Sequence, residues 1–500
     1  MIKRVLIANR GEIALRVVRA CRELGIESVA VYSDADIHAA HVAAADRSVH
    51  IGPSPAPDSY LSVPRLLAAV RESGADAVHP GYGFLSENAS FAAACEKADI
   101  VFVGPPSGVL AQMGSKISAR RVMEIAGVPV VPGETPHDQS DEGIRRTVER
   151  VGLPALVKAS AGGGGKGMRR IDEAADIPPA IQAARREAVA AFDDGTLYVE
   201  RVISRPHHIE VQILADNYDH VVHLFERECS VQRRHQKVIE ESPSPVTNSR
   251  LRSRITDAAI RAARASGYRN AGTVEFLVDL SGGRGAAHFY FLEMNARLQV
   301  EHPVTEQVTG LDLVRAQLLI ASNQPLPWTS GAITQRGHAI EARVYAEDPA
   351  HGFLPQAGRI LLYREPRMPG IRIDSGLVEG NAEGSEVPVH YDPLLAKVIA
   401  TSATRDEAIA RLACALREFP ILGIHTNIEF LLRILDHPRF RAGEIDTGFL
   451  DAEGASLAAT AVSETPAYVR AAVSAHESES QSHQSETRPD PWQSVGEWRG

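Results

Sequence analysis

Residues 293–301 read Glu-Met-Asn-Ala-Arg-Leu-Gln-Val-Glu, and Glu293, Asn295, Arg297, Gln299 and Glu301 put a charged or amide side chain at every second place. Met294, Ala296, Leu298 and Val300 lie between them. An extended chain repeats every two residues, so a strand here presents its polar groups on one face and its apolar groups on the other. Half-exposed strands also alternate. Their wet faces usually carry Thr, Lys and Ser, and have no need of a carboxylate, an amide and a guanidinium in a row. Upstream, 272–280 predicts a strand, 281–287 a glycine-rich turn and 288–292 the returning strand. Pairing Leu280 with His288 puts Glu275 opposite Glu293. Facing carboxylates repel unless something neutralises them. With Asn295 they form a hard oxygen set, Glu275, Glu293 and Asn295, suited to Mg²⁺ or Mn²⁺ held together with substrate phosphates.

Other stretches offer phosphate chemistry. Residues 153–160 predict a strand carrying Lys158, followed by Ala161-Gly162-Gly163-Gly164-Gly165-Lys166-Gly167. Such a run cannot pack a core, but its backbone N–H groups can close over phosphate oxygens. No Gly-Lys-Ser/Thr opens a helix after it, so it is not a Walker loop, and it reads as a mobile flap over a nucleotide. Lys116 opens a predicted helix over 115–125, where a helix N-terminus and a cation can both meet phosphate, although alone it reads as a solvated lysine. The cluster 227–237, which includes Arg227, Gln232, Arg233, Arg234, His235 and Lys237, reads either as a solvated face or as a site for anionic substrate. His208 and His235 match no zinc spacing.

The elements that must position these groups begin with a strand at 5–8, a turn at Asn9-Arg10-Gly11, a helix to residue 24 and a strand at 28–32. This is the start of a doubly wound α/β layer. Only Gly11 of a dinucleotide fingerprint is in place, which argues against a bound dinucleotide. Strands at 77–79 and 100–103 continue the layer, and the loop 79–88 (His-Pro-Gly-Tyr-Gly-Phe-Leu-Ser-Glu-Asn) follows a strand end, where ligand loops lie. Strands are predicted at 196–203 and 337–346, and helices at 250–266, 311–321 and 405–418, with a boundary near Pro325 and Pro327. Residues 473–489 lack apolar period and predict a disordered linker. The final 490–500, with Trp492 and Trp498, reads as the opening of a further domain.

The 500 residues predict about two to four structural units. A net charge of -10 argues against general nucleic-acid binding. The four cysteines form no CxxC pair, which fits a reducing compartment. No apolar run approaches membrane-spanning length, so the expected location is cytoplasmic.

Taken together the segments 7–14, 79–88, the glycine run, 232–237 and 293–305 resemble, in matching order from Ile2 to about Leu450, the biotin carboxylase component of biotin-dependent acyl-CoA carboxylases, an ATP-grasp enzyme. With 391–397 and the long tail, the pattern is closer to α subunits than to the short freestanding form. The resemblance implies an α/β N-terminal doubly wound parallel-sheet domain over 1–112 and an ATP-grasp domain over 113–330 with a mobile glycine-rich lid at about 131–203. It also implies a C-terminal α+β domain over 331–450; 451–500 would be a disordered linker and the start of a missing domain. It implies that Lys116, Lys158, the backbone at Gly164 and Gly165, His208 and Lys237 hold the phosphates and ribose of ATP, with Gln232 and His235 nearby. Glu200 and the backbone of Arg201, Val202 and Ile203 would meet adenine. Glu275, Glu293 and Asn295 would hold Mg²⁺ or Mn²⁺, while Arg297, Gln299 and Val300 bind bicarbonate, Glu301 deprotonates it and Arg343 stabilises the biotin enolate.

None of the six Met residues lies next to a Lys, so the Ala-Met-Lys-Met biotin-acceptor motif is absent. The expected partners are therefore a biotin carboxyl carrier protein or domain, a carboxyltransferase subunit serving acetyl-, propionyl- or a related acyl-CoA, and a second copy in a homodimer. On the residues alone, a different ATP-grasp ligase stands level with this reading. A nucleotide-sensing regulatory subunit does not, because a sensor needs neither Glu301 nor Arg343.

Overall fold

Val5, Leu6 and Ile7 are fully buried because the strand they form, Arg4–Ile7, is the middle of a parallel sheet covered on both faces. In a computed structural model, which describes residues 1–160, 167–377 and 386–459, this sheet runs Arg47–His50, Glu27–Tyr32, Arg4–Ile7, Ala77–His79, Val101–Phe102. The chain moves outward from Arg4–Ile7 first to one side and then to the other, so a crevice opens beyond Ile7 and His79. The two loops at that switch point are tied together: the Asn9 amide donates to the carbonyls of Pro80 (2.8 Å) and Tyr82 (2.7 Å). Gly11, at φ +64°, turns the chain there into the helix Gly11–Glu23.

The second sheet is mainly antiparallel and has eight strands, in the order His288–Asn295, Asn270–Asp279, His207–Ala215, Val221–Arg233, Gln236–Ser242, His338–Tyr345, Leu394–Ser402, Ile371–Ser375. It crosses the boundary expected near residue 330 without a break. Ile239 pairs with Ala342, and Glu240 with Glu341. Helix Ser249–Ala265 packs Ala258, Ala259, Ala262 and Ala263 against Val211, Ile213 and Val274 of this sheet. Residues between Gly133 and Arg201 build a separate four-stranded sheet with helices Asp141–Val151 and Ile177–Phe192 and their own apolar cluster.

Three expectations change. Leu280 does not pair with His288; Asp279 does, and a bulge between Phe276 and Glu275 shifts the register so that Glu275 still faces Glu293. The strand carrying Glu293 ends at Asn295, so 296–301 is a turn leading into helix His302–Thr309 rather than extended chain. Helix Phe449–Ala458 runs on past residue 451, where a linker was expected. The expected linker at 473–489 and the tryptophan-bearing end lie outside the described residues. Among those described, no helix is long and apolar enough to cross a membrane, and all four cysteines are free.

Candidate active site

Lys237 sits where strand Gln236–Ser242 leaves a two-residue turn, Arg234-His235, whose residues both hold φ in the left-handed region (+49° and +65°) without being glycine. Such backbone is costly and tends to persist where side chains must be aimed. The Lys237 ammonium uses its three N–H donors on three carboxylates: Glu210 at 2.5 Å, Glu301 at 2.6 Å and Glu275 at 2.9 Å. One ammonium cannot neutralise three carboxylates, and each has a second cation. Arg227 pairs with Glu210, His208 Nε2 lies 2.8 Å from Glu275, and Arg343 Nη2 lies 2.9 Å from Glu301. Arg343 also donates through Nε to Glu240 at 2.6 Å.

Burial sets the electrostatics of this cluster. It would lower the Lys237 ammonium, but Glu210, Glu275 and Glu301 raise it well above its ordinary value. It would raise the Glu301 carboxyl, but Lys237, Arg343 and Arg227 hold it well below the carboxylate range. Glu240 is pushed up to about 7, because burial and the nearby Glu301 charge outweigh Arg343. Glu301 occupies the N-cap position of helix His302–Thr309 yet makes no capping bond; its oxygens go to the two cations instead.

Glu293 differs from its neighbours. It accepts no hydrogen bond and forms no ion pair among the described residues, and burial together with the Glu275 charge raises its carboxyl. A half-buried carboxylate beside another, with the Asn295 amide oxygen two residues on, suits a divalent cation, so Glu275, Glu293 and Asn295 fit the expected metal. His208, Glu210 and Glu275 also bring ligand atoms within 4.8 Å of one another, but there Glu210 is already tied to two cations, Arg227 and Lys237.

The turn 296–301 holds its polar groups together without a strand. Arg297 donates to Glu87 (2.8 Å), Gln299 (2.7 Å) and Asn295 (3.0 Å), and Gln299 donates to Glu275 at 3.0 Å. On the opposite wall Lys158 pairs with Glu200 at 2.5 Å, and Arg120 reaches the same carboxylate at 3.1 Å. Lys116 is not a solvated lysine. It lies half-buried at its helix N-terminus, with its ammonium lowered by burial and facing Glu293, Lys158 and Glu200.

Lys116, Lys158, Glu200, Lys237, Glu275, Glu293, Asn295, Arg297 and Gln299 line one cleft of about 1090 Å³, as do Arg201, Val202, Ile203, His208, Gln232, His235, Val300 and Arg343. Glu301 is 0% exposed and lies beneath Lys237 and Arg343. Gly164 and Gly165 lie outside the described residues. Sequence reasoning gave no role to Glu87, Glu210 or Glu240, and left Arg227 in a cluster read either as a solvated face or as a site for anionic substrate. Glu210 was within reach, two residues from His208 and so on the same strand face. Arg227 is neither solvated nor in the cleft: it is fully buried directly across from Glu210 and also bonds Gln212, Thr273 and Thr305.

A parallel-sheet crevice, a long antiparallel sheet carrying acids and lysines, and a separate small sheet facing it are the parts of an ATP-grasp enzyme. Family descriptions agree segment by segment. "Biotin carboxylase, N-terminal domain" matches residues 1–110, "Carbamoyl-phosphate synthase L chain, ATP binding domain" 115–329, and "Biotin carboxylase C-terminal domain" 341–452. The biotin carboxylase of Halalkalibacterium halodurans is 49% identical over 450 residues, covering 90% of this chain and 97% of that protein. The mitochondrial methylcrotonoyl-CoA carboxylase subunit alpha of Rattus norvegicus is 47% identical over 450 residues; the match covers 90% of this chain and 62% of that protein. The biotin carboxylase domain dimer of Hydrogenobacter thermophilus 2-oxoglutarate carboxylase, solved with MgADP, ADP and bicarbonate, superposes with a TM-score of 0.86 at 41% identity. It covers 92% of this chain and 99% of that one. The Campylobacter jejuni biotin carboxylase, in its β,γ-ATP complex, gives 0.86 at 42% identity, covering 90% and 99%.

The chain belongs to the biotin carboxylase family. Its reaction is the carboxylation of biotin at the expense of ATP and bicarbonate.

Proposed function

We propose that Glu301 takes the proton of bicarbonate and that Arg343 holds the biotin enolate, with both groups masked by each other until substrates arrive. The supporting observation is the cover over Glu301, whose two oxygens are held by Lys237 and Arg343. Phosphates of ATP attract Lys237, and the enolate attracts Arg343. The departure of Lys237 comes first: it frees one Glu301 oxygen and raises its carboxyl toward a useful base before bicarbonate reacts, whereas Arg343 turns to the enolate only in the second step. Bicarbonate, held by Arg297, Gln299 and Val300, then attacks the γ-phosphate to give carboxyphosphate. This yields CO₂ and phosphate; phosphate takes the ureido proton of biotin, and the enolate attacks CO₂.

Lys116, Lys158, His208 and Lys237, with the backbone at Gly164 and Gly165, would hold the phosphates and ribose, with Gln232 and His235 beside them. Glu200 and the backbone of Arg201, Val202 and Ile203 would meet adenine. Glu275, Glu293 and Asn295 would hold Mg²⁺ or Mn²⁺, which offsets charge on the phosphates. The domains would be 1–112, 113–330 and 331–450, with 131–203 as a lid, a reading supported by the separate small sheet and the matched families. Carboxybiotin formed on a carrier protein or domain would pass to a carboxyltransferase for an acyl-CoA, with this component as a cytoplasmic homodimer. The relatives that act on methylcrotonoyl-CoA widen the acyl groups to branched ones.

The test is product analysis with free biotin. In Glu301→Gln, bicarbonate-dependent phosphate release and carboxybiotin should fall together, by about 10²- to 10⁴-fold. Loss of carboxybiotin alone would remove Glu301 from the first step.

A further inference from the structure

Glu301 and Val300 are gripped from two neighbouring strands. Arg343 and Lys397 are direct cross-strand partners on His338–Tyr345 and Leu394–Ser402, so their side chains share a face. Arg343 takes the Glu301 carboxylate, and Lys397 Nζ donates to the Val300 carbonyl at 2.8 Å. Lys397 is 0% exposed and does not line the cleft, whereas Val300 does. Two like charges side by side in a core are costly, and the site meets that cost with acids on every side. Glu12 Oε1 lies 3.2 Å from Lys397 Nζ and Asp374 lies 3.9 Å away on the strand beyond, while Glu240 and Glu301 take Arg343. A fold that needed only an apolar filler there would not retain a charged lysine.

We propose that Lys397 is a positioning residue for bicarbonate: by holding the Val300 carbonyl from behind the cleft wall, it fixes the backbone from which Arg297, Gln299 and Glu301 project. The proposal rests on reading 297–301 as the bicarbonate segment. It makes the C-terminal strands part of the first chemical step as well as the second. It also ties bicarbonate binding to the helix Gly11–Glu23 through Glu12, whose carboxylate bonds the Tyr82 hydroxyl in the loop lining the same cleft.

The experiment measures KM for bicarbonate and for ATP in bicarbonate-dependent ATP hydrolysis by the full chain. Lys397→Met leaves Glu12 buried without its cation and can fail to fold, so Glu12→Gln/Lys397→Met, which removes both charges, is measured beside it. The double variant should raise KM for bicarbonate about 10- to 100-fold, the scale for losing a hydrogen bond from a charged donor, while KM for ATP moves by less than about twofold. Lys397→Arg, which still donates, should recover part of the bicarbonate effect. Parallel changes in both constants, or unchanged constants in a folded double variant, would overturn the assignment. Arg297→Lys separates the two layers of the argument. If it leaves KM for bicarbonate unchanged, the bicarbonate segment itself is misread and the Lys397 proposal falls with it. If it raises that constant while the double variant does not, only the Lys397 proposal falls.

Discussion

Replacing Arg343 by Ala should split the two half-steps. The substitution removes the guanidinium that lies 2.9 Å from Glu301, but leaves Lys237 at 2.6 Å and Arg227 within electrostatic reach. Bicarbonate deprotonation therefore loses one of three cations that hold Glu301 low, which makes the carboxylate a better base rather than a worse one. Glu240 loses its guanidinium too, but its carboxyl already titrates near about 7, so it protonates instead of standing as a buried charge. Bicarbonate-dependent phosphate release should fall by less than about tenfold, whereas carboxybiotin, deprived of the fixed charge for the enolate, should fall about 10²- to 10³-fold. The ratio of phosphate to carboxybiotin then rises at least about tenfold. The acid limb of the hydrolysis profile should move to higher pH, because a cation that favoured ionised Glu301 is gone. Radiolabelled bicarbonate and a phosphate assay on the same sample give both numbers, and thermal melting checks that the variant is folded. An unchanged ratio would mean that Arg343 serves carboxyphosphate formation, and an acid limb that stayed in place would mean that Glu301 is not the titrating base.

Two further outcomes follow from the buried acids. Glu293→Gln removes a carboxylate that accepts no hydrogen bond among the described residues and faces Glu275, so thermal stability should hold or rise while the Mg²⁺ concentration for half-maximal ATP turnover increases about 10- to 100-fold; unchanged Mg²⁺ dependence would remove the metal site from the scheme. Glu341 is raised well above its ordinary 4.5 by burial, so the folded protein keeps a proton there that the unfolded chain releases. That contribution to stability is complete below about 4.5 and is lost as pH rises toward the folded value, at about 1.4 kcal/mol per pH unit. Glu341→Gln should therefore gain on wild type as pH is raised, and denaturant titrations that keep a constant difference across pH 5 to 8 would refute it.

The facing acids show what a sequence can and cannot reveal. Glu275 and Glu293 are partners, as their positions around the Gly-rich turn suggested, but the assumed register is one residue off at the turn and a bulge restores it. A bulge is one extra residue in one strand, and nothing in side-chain type marks it. The alternation of 293–301 continues past the strand end at Asn295 because a turn can collect polar groups as well as a strand can. Helix His302–Thr309 escaped notice because the β-branched Val304, Thr305, Val308 and Thr309 are poor helix formers; Pro303 is accommodated in its first turn, and burial and the αL glycine at 310 hold it. Arg227 stayed open between a solvated face and a substrate site because charge clustering carries no depth. Only the cross-strand pairing with Glu210 puts it inside. The adjacency of Gln236–Ser242 and His338–Tyr345 joins strands nearly a hundred residues apart, and no local signal encodes it.

That adjacency bears on how such an enzyme can be divided or assembled. A cut in the loop before His338 would leave two pieces, each ending its sheet on a naked edge: the Gln236–Ser242 backbone on one, the His338–Tyr345 backbone on the other. Bare edges template pairing with whatever strand is at hand, so each half alone would be prone to aggregate, and mixing them would complete the ladder. The same edges would be sealed in the order of synthesis. The N-terminal strands emerge first and wait, with Gln236–Ser242 unpaired, until the last third of the chain supplies its neighbour. A chaperone that covers that one edge during translation would serve this protein more than one that shields its apolar helices.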